Sequence, residues 1–120
     1  GEAFHITTDE VLTWDRIYET MAEAAGARAT LVHVPTDVIA ALIPARAGSF
    51  LGDKTWSTVF DNGKIKRFVP EFRAAVSFAE GMRRSVAWYD ADPARRSVSA
   101  EANRQLDLVI AAQRRALEAH

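Results

Sequence analysis

The sequence predicts a mostly helical α/β chain with a small parallel βαβ sheet, in a single domain over residues 1–120. Three observations lead there. Apolar residues recur at helical spacing in three long stretches. Two short β-prone runs flank the first of these stretches, an order most simply read as a parallel pair with a right-handed crossover. A length of 120 residues suits one domain rather than two, at about 100–200 residues per domain.

The first run, Ala3-Phe4-His5-Ile6-Thr7, is β-prone and ends in the polar cluster Thr8-Asp9-Glu10, as a strand does before a helix. Trp14, Ile17, Tyr18, Met21 and Ala25 then share one helical face. Thr13 suits the N-cap of that helix, and Gly26 the left-handed position just past its end. Thr30-Leu31-Val32-His33-Val34 reads as a second strand stopped by Pro35. Thr36 or Asp37 caps a short helix, Val38 to Ile43, which Pro44 terminates. Residues 44–57 hold Pro44, Gly48 and Gly52 with little periodicity and read as a long loop, the best place for ligand contacts.

In Thr58 to Val69 the Asn62-Gly63 pair suggests a hairpin, but Ile65, Phe68 and Val69 fall at helical spacing. A short helix capped by Asp61 is the better reading. Phe78, Met82, Val86 and Tyr89 mark the next helix, which Asp92-Pro93 ends. A last helix from about Ser99 carries Leu106, Val109, Ile110, Gln113 and Leu117 on one stripe.

Composition excludes several classes. Fifteen basic against sixteen acidic residues give a net charge of −1, with no basic excess to attract phosphate backbones or anionic membranes. The absence of cysteine removes disulfides, thiolate metal sites and thiol nucleophiles. No apolar stretch approaches the ~20 residues of a membrane span, and no secretory leader is visible, so a cytoplasmic chain is expected.

Tests for known chemistry mostly fail. His5, His33 and His120 lack metal-ligand spacing, and His5 and His33 read as structural histidines. Gly48 to Thr55 resembles a phosphate-binding loop only superficially, because the glycines are too close and Asp53 precedes Lys54. The pairs Arg83-Arg84, Arg95-Arg96 and Arg114-Arg115 are interleaved with acids and read as solvated helix faces rather than an RNA surface. Trp14 and Trp88, on helices, are expected to be packed. Trp56, in the long loop, is kept as a candidate ligand contact, although an ordinary loop anchor is the commoner role.

Three segments resemble the C-terminal part of the extended short-chain dehydrogenase/reductase family, the NAD-dependent epimerases and dehydratases. The opening Gly1-Glu2-Ala3-Phe4-His5-Ile6-Thr7 with its following helix is similar to the start of the family's substrate-binding lobe. Phe60-Asp61-Asn62-Gly63-Lys64-Ile65-Lys66-Arg67-Phe68-Val69-Pro70 resembles its Asp-x-x-Lys run, and Phe78 to Tyr89 its closing helix with Glu-Gly and a terminal Trp-Tyr. The likeness covers about residues 1–92 and rests on the order of the three.

The resemblance implies a C-terminal lobe without a complete Rossmann domain. No glycine-rich cofactor motif follows a strand, and neither Tyr18 nor Tyr89 has a lysine four residues on, where Ala22 and Pro93 stand. The chain alone is therefore expected to bind no cofactor and to catalyse nothing, while its parent enzyme uses NAD or NADP. The expected partners are the missing N-terminal cofactor-binding half and a small-molecule substrate, with neither nucleic acid nor membrane. Self-association through the face that the missing half would cover is also expected.

By the same resemblance Phe50, Gly52 and Asp53 stand at substrate-contact positions, and Lys54 and Trp56 of the long loop complete the expected contact surface. Where the sugar-nucleotide enzymes often carry Arg-Pro-Gly-Asp, this chain has Phe50-Leu51-Gly52-Asp53. The phosphate-holding arginine is thus an apolar residue, for which Lys54 or Arg46 would have to compensate, and a less charged substrate fits as well. The rival reading is a stand-alone small α/β binding or assembly module without catalysis, with RNA as a partner that the balanced charge disfavours.

Overall fold

The computed structural model describes residues 1–119, and among them there is no β-strand. The predicted βαβ sheet is therefore absent, and the architecture is helical. Both proposed strands, Ala3–Thr7 and Thr30–Val34, are irregular chain. β-Propensity is realised only where a neighbouring strand supplies ladder partners, and a period-two or β-branched run cannot supply its own. The chain divides into two compact units, each discontinuous in sequence: Gly1–Thr30 with Thr58–Arg96, and Leu31–Ser57 with the chain from Ser97 onward.

In the first unit, α1 (Trp14–Ala24) starts at Thr13, whose hydroxyl accepts from the Arg16 amide at 3.2 Å. It ends with Gly26 at φ +69°, a left-handed value that costs only glycine nothing. α1 packs on α5 (Phe78–Asp90). Ser77 caps α5 through its hydroxyl, and Phe78, Met82 and Val86 are half-buried along its inner side. On α1, however, Thr20 is buried and Ile17 and Ala24 half-buried, while the larger side chains Trp14, Tyr18 and Met21 stay exposed.

The expectation that both helical tryptophans are packed is likewise corrected. Trp14 is 55% exposed and Trp88 54%. Trp88 stacks instead under the Arg95 guanidinium, 4.1 Å from the ring centroid, and Arg95 also donates to the Trp88 carbonyl at 2.7 Å. Arg96 donates to the Asp90 carbonyl at 2.9 Å, so two arginines satisfy carbonyls that the end of α5 leaves open. A 3₁₀ turn, Pro93–Arg95, carries the first of them into place.

The opening segment lies along α4 (Gly63–Phe68) without forming a ladder. Asn62, 6% exposed, accepts from the Thr7 amide at 3.2 Å and donates to the Thr7 carbonyl at 2.6 Å. One side-chain amide thus performs the two-bond exchange that a paired strand residue would make. Phe4 meets Phe68 edge-on at 5.2 Å, and His5 meets Phe60 at 5.1 Å. Lys64 reaches Glu2 and the Ala3 carbonyl, while Lys66 grips both oxygens of Asp9 at 2.6 and 2.8 Å. Charge balance favours this pairing, since residues 1–30 hold six acids and two bases whereas residues 58–96 hold eight bases and five acids. Glu10 completes the attachment by accepting from the Phe78 amide at 2.7 Å, at the start of α5.

The helix preferred over the hairpin is thus present, but its cap differs from the expected one. Asn62 occupies the N-cap position with its side chain committed to Thr7, and Asp61 accepts from the Gly63 amide at 2.7 Å.

In the second unit, α2 (Thr36–Leu42) packs on α6 (Ala100–Glu118). Pro35, not Thr36 or Asp37, holds the cap position of α2, with no side-chain bond. α6 begins at Ser99, whose hydroxyl accepts from the Ala102 amide at 3.1 Å. Ile43 and Val109 are the buried apolar residues here, while Leu106 and Leu117 of the α6 stripe are exposed.

Candidate functional site

The stretch expected to be a loop is coiled almost throughout. After α2 come a 3₁₀ turn, Pro44–Arg46, a short α turn, α3 (Ala47–Ser49), and a π-helical turn, Phe50–Lys54. Short coils of this kind have no apolar period that marks them in sequence. The π turn is closed by Thr55, whose amide and hydroxyl both donate to the Phe50 carbonyl, at 3.0 and 2.9 Å. Thr55 is a residue that sequence reasoning passed over. Its only signal is a hydroxyl side chain at the end of a glycine-containing run.

All the predicted contact residues fall on or beside this one turn. Phe50 is half-buried, while Gly52, Asp53 and Lys54 are exposed, and Trp56 is 71% exposed. Leu51 is also exposed, so Leu51 and Trp56 give the turn an apolar surface. A tryptophan so open does not anchor a loop. Asp53 and Lys54 pair with each other at 2.5 Å, which cancels the local charge. Arg46, on the preceding 3₁₀ turn, is exposed and makes no ion pair among the described residues. A π turn inside helical chain is an uncommon arrangement that recurs at functional sites.

In the first unit a shallow cleft of about 140 Å³ is lined by Thr20, Glu23, Ala24, Ala79 and Arg83. Its polar groups are committed: Thr20 donates to the Arg16 carbonyl, Glu23 accepts from Arg16, and Arg83 donates to Glu80. It is also smaller than the roughly 300 Å³ at which small-molecule sites begin. It offers a ligand little.

Two carboxylates are shifted. Lys66, and then Asn62, hold Asp9 below its ordinary value by hydrogen bonding. Arg84, and then Arg83, do the same for Glu80. Arg83-Arg84 and Arg95-Arg96 thus pair with acids on their own or adjoining turns, as solvated helix faces do. Among the described residues no three His, Asp or Glu gather as metal ligands, and no helix is long and apolar enough to cross a membrane. His120 lies outside the described residues. No family model, curated protein or solved structure matches the chain.

Proposed function

We propose that this chain is the substrate-binding, C-terminal part of an NAD(P)-dependent epimerase/dehydratase-like oxidoreductase, itself lacking the cofactor fold and the catalytic Tyr-x3-Lys. The observation that carries the reading is the Asn62 junction. The Phe60–Pro70 run and the opening segment, two of the three stretches behind the resemblance, are bound to each other there through Thr7 and Asp9. The third, the closing helix, is joined to the opening segment by Glu10 at the Phe78 amide. All three stretches belong to the first unit.

The substrate surface on this reading is the π turn with Trp56. A neutralised Asp53–Lys54 pair and an apolar Phe50 favour a substrate with little negative charge, which leaves Arg46 on the preceding 3₁₀ turn as the cation that would meet a phosphate. Phe50, Leu51 and Trp56 would contribute apolar and stacking contact, and Asp53 a carboxylate for a hydroxyl. The cofactor and proton-transfer groups would come from the N-terminal half.

The test is the mass of the native polypeptide, detected through a peptide spanning Phe72 to Met82. A species more than twice 13.2 kDa is expected. A species near 13.2 kDa overturns the reading.

A further inference from the structure

We infer that Asn62 is a fold-gated deamidation site, kept as an amide by the docked opening segment and converted to an acid when that segment is released. The chemistry needs only the chain and water. The backbone nitrogen of Gly63 attacks Cγ of Asn62, forming a new N–C bond, losing the amide proton and expelling the side-chain nitrogen as ammonia. Water then adds to either carbonyl of the five-membered imide, giving aspartate or its β-linked isomer. A following glycine suits the attack because no Cβ shields its nitrogen.

Three features block that attack in the docked state. Asn62 is 6% exposed, and its amide is held by both backbone groups of Thr7. Its ψ is 0°, whereas ring closure requires the Gly63 nitrogen to rotate round until it eclipses Cβ. The Gly63 N–H, which must lose its proton, donates at 2.7 Å to the Asp61 carboxylate, whose negative charge opposes that loss. Releasing the opening segment removes the first restraint; the rotation then needs only the first bond of α4, from the Lys66 amide to the Asn62 carbonyl at 3.1 Å, to fray.

Conversion would also be one-way. An aspartate at 62 has no N–H to give, yet its oxygens would face the Thr7 and Thr8 carbonyls and the Asp9 carboxylate, all of them acceptors now served by the Asn62 amide. Once converted, the segment does not re-dock as before.

The full chain is incubated at mildly alkaline pH, native or in guanidinium, and conversion at Asn62 is followed by peptide mass spectrometry. Asn103, inside α6 and followed by Arg104, is the internal reference. Native conversion at Asn62 is expected to be at least about tenfold slower than in guanidinium, where Asn62 outpaces Asn103. Lys66→Ala, which frees Asp9, is expected to raise the native rate several-fold while circular dichroism stays unchanged. Equal native and denatured rates, or a native rate unmoved by Lys66→Ala, overturn the gating. In Asn62→Asp the Thr7 amide is expected to lose its protection from hydrogen exchange; protection equal to the parent chain overturns the one-way consequence.

Discussion

Replacing Asn62 by alanine removes the bond accepted from the Thr7 amide at 3.2 Å and the one donated to its carbonyl at 2.6 Å. The further contacts to Thr8 and Asp9, at 3.4 and 3.3 Å, are long and add little. Two net hydrogen bonds of about 0.5–1.5 kcal/mol each amount to about 2 kcal/mol. Thr7 is half-buried, so water partly replaces the lost partner and the full penalty of an orphaned group does not apply. At a urea dependence of about 1–2 kcal/mol/M, the first unit should lose about 1–2 M from its midpoint. The assay is amide exchange in α1 and α5 as a function of urea. Asp61→Ala is the control, because Asp61 makes one exposed bond, to the Gly63 amide, and should cost under about 1 kcal/mol. A midpoint that moves as far in Asp61→Ala as in Asn62→Ala refutes the assignment of Asn62 as the junction.

Gly26→Ala should destabilise the first unit by about 1 kcal/mol, because φ is +69° and no neighbouring atom within 4 Å adds a steric term; no loss in thermal unfolding would contradict the left-handed end of α1. Arg95→Ala should shift tryptophan emission by uncovering Trp88 and cost about 1 kcal/mol, from the lost stacking and the bond to the Trp88 carbonyl. An unchanged spectrum would mean that the stack does not persist in solution. The depressed Asp9 carboxyl contributes stability that is fully present above its ordinary value of 3.8 and is lost as pH falls through the lower folded-state value. Asp9→Asn should flatten the acid limb of a stability-against-pH curve, and an identical limb would show that the Lys66 contact has no effect on folding.

Long-range partners account for most of the difference between expectation and structure. Thr13 and Gly26 act where their sequence positions predict, and the last helix starts beside Ser99 as expected, because capping and left-handed termini are decided within four residues. Strand formation at Ala3–Thr7 depends on what lies alongside, and a side chain 55 residues away takes that place. Choosing Asp61 over Asn62 as the cap follows from local rules that favour either residue; Asn62 is drawn off by Thr7, a partner that spacing does not reveal. The sheltered face of α1 differs from the expected one for a related reason. Hydrophobic spacing picks out Trp14, Ile17, Tyr18, Met21 and Ala25, of which only Ile17 is half-buried, while the polar Thr20 and the small Ala24 are sheltered instead. At the candidate site the residues themselves were legible, and they share one turn, but the π coil and its closure by Thr55 carry no sequence period.

The order in which the two units draw on the chain has a consequence for synthesis. Residues 1–30 leave the ribosome before their partners, Asn62, Lys66 and α5, which follow only after the 27 residues of Leu31–Ser57 that belong elsewhere. Those 27 residues must in turn wait for α6. The first unit is therefore completed while the second is still unfinished, and no single cut in the chain separates them intact. Nascent chains ending near residue 57 should expose both the opening segment and α2 at once, which makes that length the most exposed to chaperones and proteases.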